Sequence, residues 1–226
     1  MEIDYVMDLL SSRLKGHVVS LDFDDRPDLL ETFRQIAERI ASKPRAKGRS
    51  AETVKVHVFR GLICEWALCS LLGLAYEPKV DRFEAGHDVL FFGKKIEVKS
   101  TAWSTALNHE DLHLNLDSTI NVLGDPNDDV DLLVVGCVID FDARKIKRRY
   151  RVFFPWWFDA RFFKANAIKY ERKKGAETFP FNFGVWYPYS LAATQEDMKE
   201  FSDPSRCGRN DPSLVEEFLR GESVRA

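Results

Sequence analysis

From Pro27 to Ala41 the apolar residues Leu29, Leu30, Phe33, Ile36, Ala37 and Ile40 return at helical spacing, and Pro27 suits a first helical turn. The pattern predicts a helix over 27–41 with that stripe turned to the core. After the polar stretch Ser42 to Arg49, Ser50 can cap a second helix running to about Leu72, with Gly73 as its stop. Between Leu62 and Leu74 this second helix is apolar on nearly every side, so other elements must cover it.

The period then changes. Val89-Leu90-Phe91-Phe92, the pair Gly93-Lys94, and Lys95-Ile96-Glu97-Val98-Lys99 read as two strands joined by a tight turn. Val130 to Ile139 is a continuous aliphatic run, which fits a central strand buried on both faces, and Lys147 to Phe154 alternates enough to be its neighbour. Ala102 to Leu123 reads two ways: Leu112, Leu114 and Leu116 alternate while the flanks look helical. Thr178 to Tyr189 is dense in aromatic residues and carries no clear period. The order of elements predicts an α/β fold in one domain over 1–226. Its core lies at about 50–155, with N-terminal helices and an aromatic, basic C-terminal part packed on it.

Composition narrows the class. At 45% hydrophobic, 12% aromatic and 31% charged residues, the chain is globular rather than disordered or collagenous. A net charge of −3 excludes a uniformly basic coat for nucleic acid. No apolar run reaches bilayer length, and Met1 to Leu14 carries acids where a secretory leader has a basic flank, so a cytoplasmic protein without a membrane partner is expected. Cys64, Cys69, Cys137 and Cys207 form no CxxC pair, which speaks against a zinc ribbon or a disulfide framework. GxSxG, P-loop and GxGxxG patterns do not occur, which disfavours serine hydrolases, NTPases and dinucleotide enzymes.

The candidate chemistry lies in Glu65, Asp88, Glu97 and Lys99. Glu65 stands among Cys64, Trp66, Ala67 and Leu68, where an ionised carboxylate needs a partner such as a metal or a lysine. Glu97 and Lys99 are two apart in a strand and therefore share the face opposite Ile96 and Val98. If Gly93-Lys94 is the two-residue loop, Phe92 pairs with Lys95, Asp88 stands opposite Lys99, and Leu90 stands opposite Glu97. Asp88, Glu97 and Lys99 then converge, the acids diagonal at ~7 Å. A four-residue loop keeps the same face, whereas a three-residue loop without a bulge turns Asp88 away.

Such a set suits metal-assisted phosphodiester hydrolysis. Asp88, Glu97 and the Val98 carbonyl would hold Mg²⁺, with Mn²⁺ able to substitute, and Glu65 would complete the shell or bind a second ion. Lys99 would orient or deprotonate the attacking water, or stabilise the charged transition state. On Glu65 in a helix, His87-Asp88-Val89, and Ile96-Glu97-Val98-Lys99-Ser100, the sequence resembles the PD-(D/E)xK nuclease superfamily over roughly residues 50 to 155. The resemblance implies a restriction-endonuclease-like core, a central mixed β-sheet of four or five strands flanked by helices. It also implies the same roles for Glu65, Asp88, Glu97 and Lys99. His87 stands where the family name has proline, and the element after the lysine strand is not legible. Glu171-Arg172-Lys173 and Asp197-Met198-Lys199 also fit (D/E)xK, but in polar surroundings that read as solvated charge.

Local charge points to a polyanionic partner. Residues 143–175 hold twelve Lys and Arg, among them Arg148, Arg149 and Arg151, against Asp159 and Glu171. Lys43, Arg45, Lys47 and Arg49 precede the Glu65 helix, and Lys94, Lys95 and Ser100 flank the acids. These are the candidate contacts to nucleic acid, expected to be DNA. Residues 102–143 contain nine acids and no Lys or Arg, a face expected to turn away from DNA. The expected function is thus a DNA endonuclease, with a homodimer as an analogy drawn from small nucleases. Two other readings compete: a nuclease-fold scaffold or DNA-binding protein that no longer cuts, and a zinc protease built on His109-Glu110-Asp111-Leu112-His113. The zinc reading lacks a well-spaced third ligand.

Overall fold

The computed structural model describes residues 2–42, 50–78, 87–103, 129–139, 141–142, 145–166, 168–171, 184–187 and 205–210. Helix α1 (Ile3–Leu14) leads into strand β1 (Val18–Asp22), and helix α2 (Pro27–Ala41) follows with Pro27 in its first turn. Helix α3 (Ala51–Leu72) begins where the Ser50 side chain accepts a hydrogen bond from Thr53 N at 3.1 Å, and ends at Gly73 in the left-handed conformation. Both helices thus start and stop where the sequence places them. Strands β2 (Val89–Phe91), β3 (Lys94–Trp103), β4 (Leu132–Ile139) and β5 (Arg149–Asp159) come next, then helix α4 (Ala160–Asn166) and strands β6 (Ile168–Glu171), β7 (Gly184–Tyr187) and β8 (Cys207–Arg209).

The main sheet is mixed and has six strands rather than the four or five expected, in the order β1-β5-β4-β3-β2 with β8 also on β5. Only β3 and β4 are parallel among its paired strands. β4 is central and buried throughout, as its aliphatic run predicts. Its neighbour β5 reaches five residues past the expected Phe154, to Asp159, and is long enough for β1 and β8 to pair with its two halves. Asn210 closes that joint: its side chain accepts from Gly16 N and donates to the Leu14 and Phe154 carbonyls. β6 and β7 form a separate two-stranded sheet. β1, only five residues long and including Ser20 and Asp22, carries too short a pattern to stand out in the sequence, and α1 interrupts its apolar positions with Asp4, Asp8, Ser11, Ser12 and Arg13.

Helices α1, α2 and α3 cover one face of the sheet, where Ile96, Val98, Leu132, Val134, Val138, Val152, Phe154 and Trp157 join their apolar stripes. Here α3 comes very close: a Cβ on Gly136 would lie 2.7 Å from Cys64 Sγ, so only glycine fits opposite that turn of the helix. Leu133, Val135, Trp156 and Phe158 alternate to the other face and are also buried, with Phe163 of α4 against Phe158.

The hairpin departs from its expected register. Val89 pairs with Ile96, Leu90 with Lys95 and Phe91 with Lys94, so the turn is Phe92-Gly93 and not Gly93-Lys94. Both turn residues have positive φ, 49° and 77°, the signature of a type I′ turn. The reason lies outside the hairpin. Asp131, just before β4, accepts from Lys95 N at 2.9 Å through its carboxylate and donates its own N–H to the Lys95 carbonyl, which draws Lys94 and Lys95 into β3. The register therefore moves by two residues, an even step that leaves every side chain on its expected face.

Candidate active site at the hairpin strands

Asp88 stands at the head of β2. Its N–H donates to the Ile96 carbonyl at 2.9 Å, and its Oδ2 accepts from Val98 N at 2.8 Å. The β3 backbone thus alternates: Lys95 bonds to Asp131 on the β4 side, while Ile96 and Val98 bond to Asp88 on the outer side. In a strand the N–H and C=O of one residue point to the same edge, so the Val98 carbonyl also faces the edge that Asp88 occupies.

Glu97 and Lys99 alternate to the face opposite Ile96 and Val98, beside Leu133 and Val135 of β4. Apolar neighbours leave both side chains mostly buried, at 16% and 20% exposure. Lys99 Nζ donates to Glu97 Oε1. Glu97 Oε2 is shut off from solvent and accepts no hydrogen bond among the described residues. The paired register ends at Val89 and Ile96, and Asp88 departs from it, its N–H on the Ile96 carbonyl and its carboxylate on Val98 N, so it does not stand across from Lys99 as a Gly93-Lys94 turn implies. A carboxylate oxygen withdrawn from water without a donor is costly, and a cation is the partner that suits it.

Glu65 is only 4% exposed in α3, on the far side of the sheet from Glu97 and Lys99. Its helix must cover Ile96, Val98 and Val134 with its apolar stripes, which carries it to the face opposite Glu97 and Lys99. Among the described residues, no group of three His, Cys, Asp or Glu side chains is gathered for a metal. Asp88 bonds the Val98 amide at the outer edge of β3, and Glu97 holds Lys99 on the face of the strand.

The basic residues are dispersed. Lys94 reaches Asp131 at 3.4 Å, and Ser100 faces α3, where Arg60 donates to its hydroxyl at 3.2 Å and its carbonyl at 3.0 Å. Arg148 and Arg149, both exposed, pair with Asp24 at 3.1 Å and Asp22 at 2.5 Å. Lys99 is level with Val135 and Trp156, so Arg149 and Arg151 lie roughly 20 Å farther along β5 at the usual strand rise. They do not frame the acids, because β5 runs antiparallel to β4 and carries its basic start to the far end of the sheet. Lys43, Arg45, Lys47 and Arg49 and the motif from His109 to His113 lie outside the described residues.

Two residues of this region escaped the sequence reading. Arg60 sits in a nearly apolar helix, over the Phe141 ring at 5.9 Å and beside Cys64 and Cys137, and burial lowers its pKa. A lone arginine in such a run was the available cue. Asp131 opens an aliphatic strand and looks like ordinary loop charge until its bonds to Lys95 are seen. The four cysteines form no disulfide and are all buried. Burial pushes the Cys64 thiol up to about 12 and raises Cys137 well above its ordinary value, so neither is an activated nucleophile. No helix among the described residues is long and apolar enough to cross a membrane.

Comparison with protein-family models, with curated proteins and with solved structures gives no match.

Proposed function

We propose that this chain is a metal-dependent nuclease that hydrolyses phosphodiester bonds, with DNA cut endonucleolytically as its activity. The observation that carries the reading is Glu97: one oxygen held by Lys99, the other buried without a donor among the described residues, next in the strand to Val98, whose amide the Asp88 carboxylate accepts. Asp88, Glu97 and the Val98 carbonyl are the oxygens that would bind Mg²⁺ or Mn²⁺. A divalent ion there neutralises charge on a phosphate oxygen and acidifies bound water. Lys99, bonded to Glu97, would orient the attacking water or bind charge developing on the phosphate. Water adds to phosphorus, one P–O bond breaks, and the departing oxygen takes up a proton. The order of Asp88, Glu97 and Lys99 on adjacent strands supports the resemblance to the PD-(D/E)xK superfamily. Glu65, on the opposite face, has no part in this proposal.

A second reading, a nucleic-acid-binding protein that does not cut, is favoured by the lack, among the described residues, of any group of three His, Cys, Asp or Glu side chains that could hold a metal. One experiment separates the two. Supercoiled plasmid is incubated with the chain and Mg²⁺ or Mn²⁺, and with Glu97→Gln and Lys99→Ala variants. The nuclease reading expects nicking or linearisation that EDTA abolishes and that each substitution lowers about a hundredfold or more. Plasmid binding without cleavage under either metal supports the second reading and sinks the first.

A further inference from the structure

Four large apolar side chains are exposed among the described residues, and two of them, Leu90 at 55% and Phe92 at 54%, stand on the β2–β3 hairpin. Phe92 is also the only non-glycine residue with positive φ among the described residues. A type I′ turn favours Asn, Asp or Gly at that position, and a bulky side chain there is strained. Exposure and strain together mean that this phenyl ring contributes little to the fold. Its one ring neighbour among the described residues is Phe91, at 4.7 Å and 71°, and Phe91 itself is buried, so Phe92 is braced from below while its own side chain is exposed. Strain kept at a solvent-facing aromatic is a pointer to binding.

The surroundings select the ligand. Leu90 pairs with Lys95, so both share a face with Glu97 and Lys99, and Lys94 follows the turn directly. Lys95 makes no ion pair among the described residues. An aromatic ring flanked by lysines and continuous with the candidate site fits an unstacked base on a phosphate backbone. We infer that the hairpin tip is the nucleic-acid grip of the site, with Phe92 stacking on a base of the bound strand away from the scissile phosphate, more than ~10 Å along the hairpin from Glu97 at the usual strand rise. This rests on the nuclease reading.

The test is binding of a fluorescein-labelled single-stranded oligodeoxynucleotide, followed by anisotropy with calcium in place of magnesium to suspend hydrolysis, together with thermal melting. Phe92→Gly relieves the positive φ, so its melting temperature should hold or rise while affinity falls roughly five- to 150-fold. Phe92→Trp should keep the affinity, and its indole fluorescence should be quenched on binding. Unchanged affinity in Phe92→Gly, with the wild type binding, overturns the hairpin inference and leaves the nuclease reading intact. So does a wild-type dimer in sedimentation that Phe92→Gly dissociates without change in affinity. A wild type that neither binds nor cuts nucleic acid overturns the underlying reading itself.

Discussion

The Asp88 carboxylate accepts the Val98 amide proton at 2.8 Å, taking the place that a further β2 residue would occupy beside β3. One residue thus ends the short strand and satisfies the β3 edge, its N–H on the Ile96 carbonyl and its carboxylate on Val98 N, on either side of Glu97 in the chain. These roles can be separated. Asp88→Asn keeps an oxygen acceptor for Val98 and should melt near the wild type, whereas Asp88→Ala should lose about 1 kcal/mol in chemical denaturation. Both should abolish metal-dependent cleavage, because neither carries the charge. Cleavage retained by Asp88→Asn would remove Asp88 from the metal site.

Arg60 ties α3 to the residue that follows Lys99. Its guanidinium is largely buried and gives two hydrogen bonds to Ser100, so Arg60→Ala should cost about 2 kcal/mol and Arg60→Lys should recover little, since an ammonium cannot reproduce the fork. Urea titration measures both. If Arg60 positions the strand, plasmid cleavage at a temperature where both variants remain folded should fall while metal affinity stays near that of the wild type.

The contact between Cys64 and Gly136 sets how closely α3 approaches the sheet. Gly136→Ala would drive a Cβ to within 2.7 Å of Cys64 Sγ and 2.8 Å of its Cβ, with backbone on either side unable to give easily. Overpacking of this kind should destabilise the chain by about 1–3 kcal/mol. Pairing Gly136→Ala with Cys64→Gly should restore part of that loss in a double-mutant cycle.

Buried thiols give a pH signature. Folding raises the Cys64 pKa from 9.0 to about 12 through burial, so its contribution to stability is complete below pH 9.0 and declines as pH rises from there toward about 12. Cys137 shifts in the same direction. The melting temperature should therefore drop on the alkaline side, and less steeply in Cys64→Ala. At neutral pH the native chain should leave all four thiols unreactive toward Ellman's reagent until denaturant is added.

Much of this arrangement was legible in the chain itself. The apolar period, Pro27, Ser50 and Gly73 set the limits of α2 and α3, because caps and helical stripes are local properties. The unbroken aliphatic run marked β4 as the buried strand, and alternation put Glu97 and Lys99 on one face whatever the turn. Tertiary contacts decided the rest. The turn is Phe92-Gly93 because Asp131, more than thirty residues away, holds Lys95 in the ladder, and no local pattern encodes that bond. Glu65 lies across the sheet from Glu97 and Lys99 because the side of the sheet a helix covers depends on where its whole apolar surface finds a partner. The arginines of β5 lie far from the site because an antiparallel neighbour carries its basic start to the opposite end. Sequence spacing determined which residues share a face of their own element. Only the packing of distant elements determined which of those faces meet.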